Sequence, residues 1–539
     1  MPTRQSHIAF VPNEATEPIM PQSSERADDS PPMLAKIVAT IGPASDSPEM
    51  VRKLIEAGVS IFRFNFSHGD FAGHKKRLDV VREVASQLDR PIAALGDLQG
   101  PKIRVGKVPE GGIVLSAGQD VCFKLGLPLA YVDPANASQP VAYLPTTYEP
   151  LVREVHSGHK VLINDGAIRM LAVSSDGAAG ELRCRVTVGG LVTSGKGINL
   201  PQSAISAPAI TDRDWECVAW AVENALDFLA LSFVRKAEEV LELKRKLAEL
   251  GARYPESDPR HLAQWMPIVV KIEKPQAVAN ISSIVAAADA IMVARGDLGV
   301  EMEIARVPVA QKEIVACCAA HGKPCIVATQ MLETMIENAS PTRAEASDVA
   351  NAIFDGADAV MLSAETATGK HPALVVETMS RIVRVAESSS VKQGRSASVP
   401  TEVNHAHRDT AALAHGAAQV ARDLGAPAIV CWSEHGGTAR FISQNDLNIP
   451  IVAYSSNPVM ARRMAILGGV IPVCAEPPTS GHLSEWNEAV DELMLRRGLA
   501  KRGDPLVLVA GHPLGQAKAT NRIAIHRVGE PTGFRTPSA

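Results

Sequence analysis

Lys271 and Glu273 lie two positions apart in the run Ile-Val-Val-Lys-Ile-Glu-Lys-Pro, residues 268–275, which is otherwise largely apolar. Pro267 and Pro275 bracket the run, and its β-branched composition predicts a short buried strand. Side chains alternate across a strand, so Lys271 and Glu273 share one face while Val270 and Ile272 share the other. A strand buried on both faces tolerates charge mainly at its end. The pair therefore marks a strand end that opens onto a site, with a structural ion pair as the alternative.

Other strand-like runs also end on reactive or polar side chains. Lys36 to Ile41 runs into Gly-Pro-Ala-Ser, and Ser47 or Asp46 can cap the helix begun by Pro48. Further strands are expected at Ser60 to Phe64, Ile92 to Leu95, Phe228 to Ser232, Ala290 to Ala294, Cys325 to Ala328 and Ala359 to Leu362. Helical periods separate them. In Lys236 to Leu250, Val240, Leu243, Leu247 and Leu250 form one face, and Glu242 is placed to meet Lys246 one turn on. About eight such units predict an α/β fold of the (β/α)8 barrel type, with its site at the C-terminal strand ends. A doubly wound open sheet is the structural alternative. On the barrel reading, Arg63, Asn65 and Ser67, Asp97, Lys271 and Glu273, Arg295 and Asp297, Thr329 and Gln330, and Ser363 and Glu365 should converge.

The chain has 539 residues, enough for two to four domains. It is 46% hydrophobic and only 4% aromatic, and its formal charge of −5 offers no footprint for nucleic acid or an anionic membrane. Eight cysteines are scattered without CxxC spacing, which fits a reducing cytoplasm. Residues 1 to about 33 are rich in Pro, Ser and Glu and are expected to form a mobile extension, being neither a signal peptide nor a membrane span.

The catalytic barrel is expected over 34–106 and 192–385, interrupted at 107–191 by a small β domain. Strands are read there at Gly112 to Leu115, Val121 to Leu125, Lys160 to Ile163 and Leu182 to Val188, with a turn at Asp165-Gly166. Such an insertion at the site face would form a lid that excludes water. A linker is expected at 386–404, followed over 405–539 by a C-terminal α/β domain with strands near Ala428 to Cys431, Ile451 to Tyr454 and Leu506 to Ala510.

The stretches KIVATIGPAS, FRFNFSHG, DLQGPKIR, VVKIEKP, IMVARGDLGVE, ATQMLETM, SPTRAE and MLSAETATGKHP, taken together in this order over residues 34 to 372, resemble the pyruvate kinases. The C-terminal segment is similar to the same family more loosely. The resemblance implies transfer of a phosphoryl group from phosphoenolpyruvate to ADP, giving pyruvate and ATP in glycolysis. It implies Glu273 and Asp297 as ligands of Mg²⁺, with Mn²⁺ as a substitute. Lys271 matches the lysine that stabilises the phosphoryl group in flight, Arg63 the arginine on the substrate phosphate, and Thr329 a threonine near the enolate carbon. Gly296 lends backbone contact to substrate beside Asp297. Asn65, Phe66, Ser67, His68, Arg104 and Lys196 match nucleotide-contacting positions; a lid-hinge ion pair is the alternative for Arg104. Arg343 and Glu345 are read as structural or subunit-contact residues. A pyruvate-type aldolase, using Lys271 as a Schiff-base nucleophile, is the competing enzyme reading. A non-catalytic metabolite sensor would need a broken site, whereas Lys271, Glu273, Asp297 and Arg63 are all present.

The resemblance also implies a homotetramer and a regulatory C-terminal domain whose strand-to-helix loop takes a phosphorylated activator. The matching loop here holds Ser433, Gly436, Gly437 and Thr438, but Gly437 stands where many relatives carry a basic residue, and Glu434 adds negative charge. Activation by fructose 1,6-bisphosphate is not expected, leaving a monophosphate or no effector open. Asn65, Ser67, Asp97 and the Leu98 carbonyl match a monovalent-cation site. Lys102 stands where potassium-dependent members carry glutamate, so a tethered ammonium is expected to replace K⁺.

Overall fold

The computed structural model describes residues 32–134, 140–389, 400–479, 483–511, 514 and 520–530. The extension expected before residue 33 lies outside the described residues as far as residue 31, as do residues 390–399 of the expected linker.

Eight parallel strands close into a barrel: Lys36–Thr40, Val59–Asn65, Ala93–Asp97, Phe228–Leu231, Ile268–Ile272, Ala290–Ala294, Cys325–Ala328 and Ala359–Leu362. The first strand pairs with both the second and the eighth, which excludes the open-sheet alternative. The two-residue period sorts the side chains. Val38, Ile61, Leu95, Ala230, Val269, Met292, Ile326 and Met361 fill the interior, while Ile37, Phe62, Leu229, Val270 and Ile272 pack outward against helices.

The helices follow from local chemistry. Ser47, not Asp46, caps Pro48–Ala57 by accepting from the Met50 amide, and Asp46 pairs with Arg77 instead. Ala237–Gly251 buries Val240, Leu243 and Leu247, each worth roughly 1.5–3 kcal/mol of apolar burial. Its Lys246 pairs with Glu249 rather than with the expected Glu242, an exposed contact of little energetic weight.

Between the third and fourth barrel strands the chain forms a seven-stranded sheet, in the spatial order Ile198–Asn199, Lys160–Ile163, Ile168–Asp176, Glu181–Val188, Asp120–Lys124, Val141–Leu144 and Tyr131–Asp133. A ribbon of Ile113–Leu115 with Gly190–Val192 lies beside it in sequence. The sheet has its own core, including Val121, Phe123, Ile163, Met170 and Leu182. Its edge strand Ile198–Asn199 falls beyond the boundary at 191 read from the sequence, because two residues carry no readable period.

The C-terminal region forms a five-stranded sheet in the order Val470–Cys474, Ile451–Ser455, Ile429–Trp432, Pro505–Gly511 and Thr520–Arg527. Both outer strands escaped the sequence reading. Pro472 interrupts one, and the other alternates polar residues along a sheet edge. This region meets the barrel at the N-terminal strand ends: Lys36 Nζ donates to the Val470 carbonyl, and Arg462 pairs with the buried Asp227 that precedes the fourth strand. The opposite, C-terminal strand ends are left for chemistry.

Candidate active site

The inward register of the barrel carries its charged top layer. Arg63 follows Ile61 on that register, Asp97 follows Leu95, and Lys271 and then Glu273 follow Val269. Asp97, 1% exposed, accepts from Arg63 Nε at 2.6 Å and lies 3.3 Å from Lys271 Nζ. Lys271 Nζ donates to Ser232 Oγ at 2.7 Å, and the Ser232 hydroxyl in turn donates to the Leu98 carbonyl, also at 2.7 Å. Arg63 Nη1 donates to Thr40 Oγ1 at 3.0 Å. Each cation is therefore held from behind by groups that leave it facing the barrel mouth.

Burial pulls the Lys271 pKa down, but the carboxylates of Asp97 and Glu273 outweigh it and hold it above the usual lysine range. Lys271 stays an ammonium. Burial acts against ionisation of Asp97 as well, yet Lys271 and Arg63 keep its pKa below the ordinary carboxylate value.

Glu273 is different. It is fully buried, and its Oε2 accepts from the Phe233 amide at 2.6 Å. Its Oε1 lies 2.9 Å from Lys271 Nζ but off the hydrogen-bonding direction, so it has no donor. Burial and the nearby charge of Asp297 push the Glu273 pKa up despite Lys271. A buried carboxylate whose Oε1 has only the off-line ammonium of Lys271 for company, with the charge of a second carboxylate nearby, has room in its electrostatic balance for a further cation. Two carboxylates with room for substrate oxygens and water suit a hard divalent ion such as Mg²⁺. Among the described residues no cluster of three or more His, Cys, Asp or Glu forms a fuller protein cage.

Asp297 lies in the first turn of the helix Arg295–Glu301. Gly296 N donates to Thr329 Oγ1 at 2.7 Å, and that hydroxyl donates to the Ala328 carbonyl at 2.7 Å. Thr329 has a φ of 69° and Gln330 a φ of 54°, a conformation that costs a β-branched residue dearly. Arg295 supports it by donating to the Thr329 carbonyl at 2.8 Å while paired with Asp348 at 2.7 Å. Phe233, whose amide serves Glu273, also has a positive φ of 54°. Three of the positive-φ non-glycine residues thus stand at strand ends that carry the site.

Several of the residues named from the sequence have structural contacts of their own. Glu365 accepts from the Ser363 and Leu332 amides, and Glu345 closes the capping box with Thr342. Arg343 is exposed. The ring of Phe66 is buried edge-on against His74 and Trp220, so its side chain belongs to the core. Asn65 Oδ1 accepts from the Ser67 amide at 3.1 Å, and the His68 carbonyl accepts from His74, leaving the Ser67 and His68 side chains exposed. Arg104 donates to the Gly195 carbonyl at 2.9 Å, next to Lys196, tying the barrel exit to the strand returning from the inserted sheet. Lys102 is exposed, lies against Gly197 and forms no ion pair among the described residues. Ser232, Phe233 and Thr40 were not foreseen as site residues, although Phe228 and Ala230 already place Ser232 on the inward register.

In the C-terminal loop, Glu434 accepts from Trp432 Nε1 at 3.0 Å and from the Ser456 hydroxyl at 2.5 Å and amide at 3.3 Å. Ser433 Oγ accepts from the Ala439 amide, and Thr438 shares a hydrogen bond with Thr520. Gly436, with a φ of 77°, leads into the short helix Gly437–Ser443.

Residues 33–376 match a family model described as pyruvate kinase, barrel domain, and residues 411–526 match one described as pyruvate kinase, alpha/beta domain. The pyruvate kinase of Mycobacterium intracellulare is 39% identical over 92% of this chain and 98% of its own length. That of Corynebacterium efficiens is 39% identical over the same shares. A crystal structure of a pyruvate kinase from Cryptosporidium parvum superposes with a TM-score of 0.80 at 33% identity, covering 92% of this chain and 96% of that one.

Proposed function

This chain belongs to the pyruvate kinase family and transfers the phosphoryl group of phosphoenolpyruvate to ADP in glycolysis; we propose that Lys271, Arg63, Thr329, Glu273 and Asp297 carry that transfer. The observation behind the assignment is the fully buried Glu273, its Oε1 met only by the off-line Lys271 ammonium and its carboxylate near the charge of Asp297, with Lys271 and Arg63 as fixed cations at the same mouth.

Glu273 and Asp297 would hold Mg²⁺, or Mn²⁺ in its place, which when bound neutralises charge on phosphoryl and enolate oxygens. Phosphoryl transfer spreads negative charge over the group in flight, so catalysis is chiefly positioning and charge stabilisation. Arg63 receives the substrate phosphate. Lys271, already oriented by Asp97, Ser232 and Glu273, meets the developing charge without reorganising. Gly296 and Thr329 contact the three-carbon portion, where the enolate must gain a proton to become pyruvate. A Schiff-base role is disfavoured because Lys271 is held charged, and an ammonium is no nucleophile.

Asn65 through His68, Arg104 and Lys196 are assigned to ADP and ATP, the inserted sheet acting as a lid. K⁺ is proposed to be unnecessary: Arg63 and Lys271 already supply positive charge beside Asp97, and the Leu98 carbonyl accepts from Ser232. Lys102, exposed and lying along Gly197, is proposed to supply a tethered positive charge in place of the ion. No phosphorylated effector is proposed, because Glu434 takes the Ser456 and Trp432 donors around its own loop. A homotetramer in the cytoplasm completes the proposal; no helix among the described residues is long and apolar enough to cross a membrane.

Titration of Mg²⁺ against pyruvate formation tests the metal assignment. Glu273→Gln and Asp297→Asn should each cripple turnover, and near-normal activity of either variant at low Mg²⁺ would contradict it.

A further inference from the structure

Glu301 is 2% exposed, and neither substrate chemistry nor the metal pair calls on it. Its Oε1 accepts from Lys274 Nζ at 2.6 Å and from Asn199 Nδ2 at 2.8 Å, while Oε2 has no partner. The three residues come from three separate places. Lys274 directly follows Glu273. Glu301 closes the helix Arg295–Glu301 that carries Asp297. Asn199 belongs to the edge strand of the inserted sheet, three positions beyond Lys196. Lys274 Nζ also lies 5.7 Å from the centre of the Phe233 ring, and the Phe233 amide is the donor to Glu273 Oε2.

We propose that Glu301 is a positioning residue: one buried carboxylate sets the two metal-bearing segments and the root of the inserted sheet relative to one another. A buried carboxylate must be paired to be tolerated, so its partners are held firmly, and removing one leaves the others poorly satisfied. Beside this contact lies a cavity of about 380 Å³ lined by Lys274, Glu301 and Asn199 themselves together with Ile103, Ile198 and Phe233, so the three polar partners form part of the wall of a space at the sheet root. Partners of this kind, one step behind a metal ligand, typically cost 10–100-fold in affinity when lost.

The proposal rests on the assignment of Glu273 and Asp297 to the metal. Mn²⁺ binding to the substrate-free enzyme, followed by the electron paramagnetic resonance signal of the free ion, reads the metal side without activity; KM for ADP reads the sheet side. Lys274→Met is expected to weaken Mn²⁺ binding about tenfold. Asn199→Ala is expected to leave it within about twofold and to raise KM for ADP about fivefold, because it cuts only the tether to the sheet. Glu301→Gln should show both effects. If Lys274→Met and Asn199→Ala lower only the melting temperature, with Mn²⁺ affinity and KM for ADP unchanged, Glu301 is a structural residue and the proposal is overturned. Unchanged Mn²⁺ binding in Glu273→Gln would instead overturn the metal assignment itself.

Discussion

Two strand-to-loop junctions of this molecule each present a carboxylate, and they are finished in opposite ways. At the barrel mouth, Glu273 keeps a buried oxygen without a donor and faces a second carboxylate, Asp297. In the C-terminal sheet, Glu434 is satisfied by an indole, a hydroxyl and an amide from its own neighbourhood. A buried acceptor left open beside a second carboxylate can take a cation, whereas a satisfied one fills the place a ligand would take. Both motifs sit where a strand meets a helix, so position in the fold does not distinguish them. Closure of the hydrogen-bond account does.

The contrast can be broken most severely at the open end. Lys271→Met should lower kcat roughly 10³-fold while moving KM for phosphoenolpyruvate little, since its charge is needed most in the transition state; steady-state kinetics showing a change confined to KM would contradict this. Thr329→Val removes the acceptor for the Gly296 amide and should cost roughly 5- to 150-fold in kcat/KM, from about 1–3 kcal/mol for an unmade hydrogen bond. Thr329→Ser, which keeps the hydroxyl, should stay close to the parent enzyme in the same assay. Lys102→Glu should make activity about tenfold higher in potassium than in tetramethylammonium chloride at equal ionic strength, while the parent enzyme is indifferent. Strong potassium activation of the parent would show that the filled acceptors of Asp97 and Leu98 do not close that site. The smallest effect lies at the closed junction: fructose 1,6-bisphosphate and AMP should shift phosphoenolpyruvate half-saturation less than about twofold, and Glu434→Ala should increase that response by freeing Ser456 and Trp432. A large response in the parent enzyme would remove the distinction between the two junctions.

Much of the barrel was legible because the rule that builds it is local. In Ile268–Ile272, Ala290–Ala294, Cys325–Ala328 and Ala359–Leu362, a short apolar run ends abruptly, and the strands have those same bounds. Once Val269 is known to face inward, Lys271 and Glu273 must do so too. The sheet edges were not legible, since Ile198–Asn199 is too short for a period and Thr520–Arg527 is half exposed. Nor was the support of the site. Ser232, Phe233 and Glu301 act through contacts between segments distant in sequence, and no spacing announces such a contact. Phe66 shows the converse, a motif residue whose ring packs in the core, a contact the motif does not announce.

The central claim is that the open carboxylate pair, and not the closed loop, receives the divalent ion. Anomalous diffraction at the manganese edge, from crystals grown with Mn²⁺ and oxalate as an enolate mimic, tests it directly. The account predicts a peak in bonding contact with the carboxylates of Glu273 and Asp297 and none at Glu434. A manganese ion ligated elsewhere, with Glu273 and Asp297 free of metal, would contradict it.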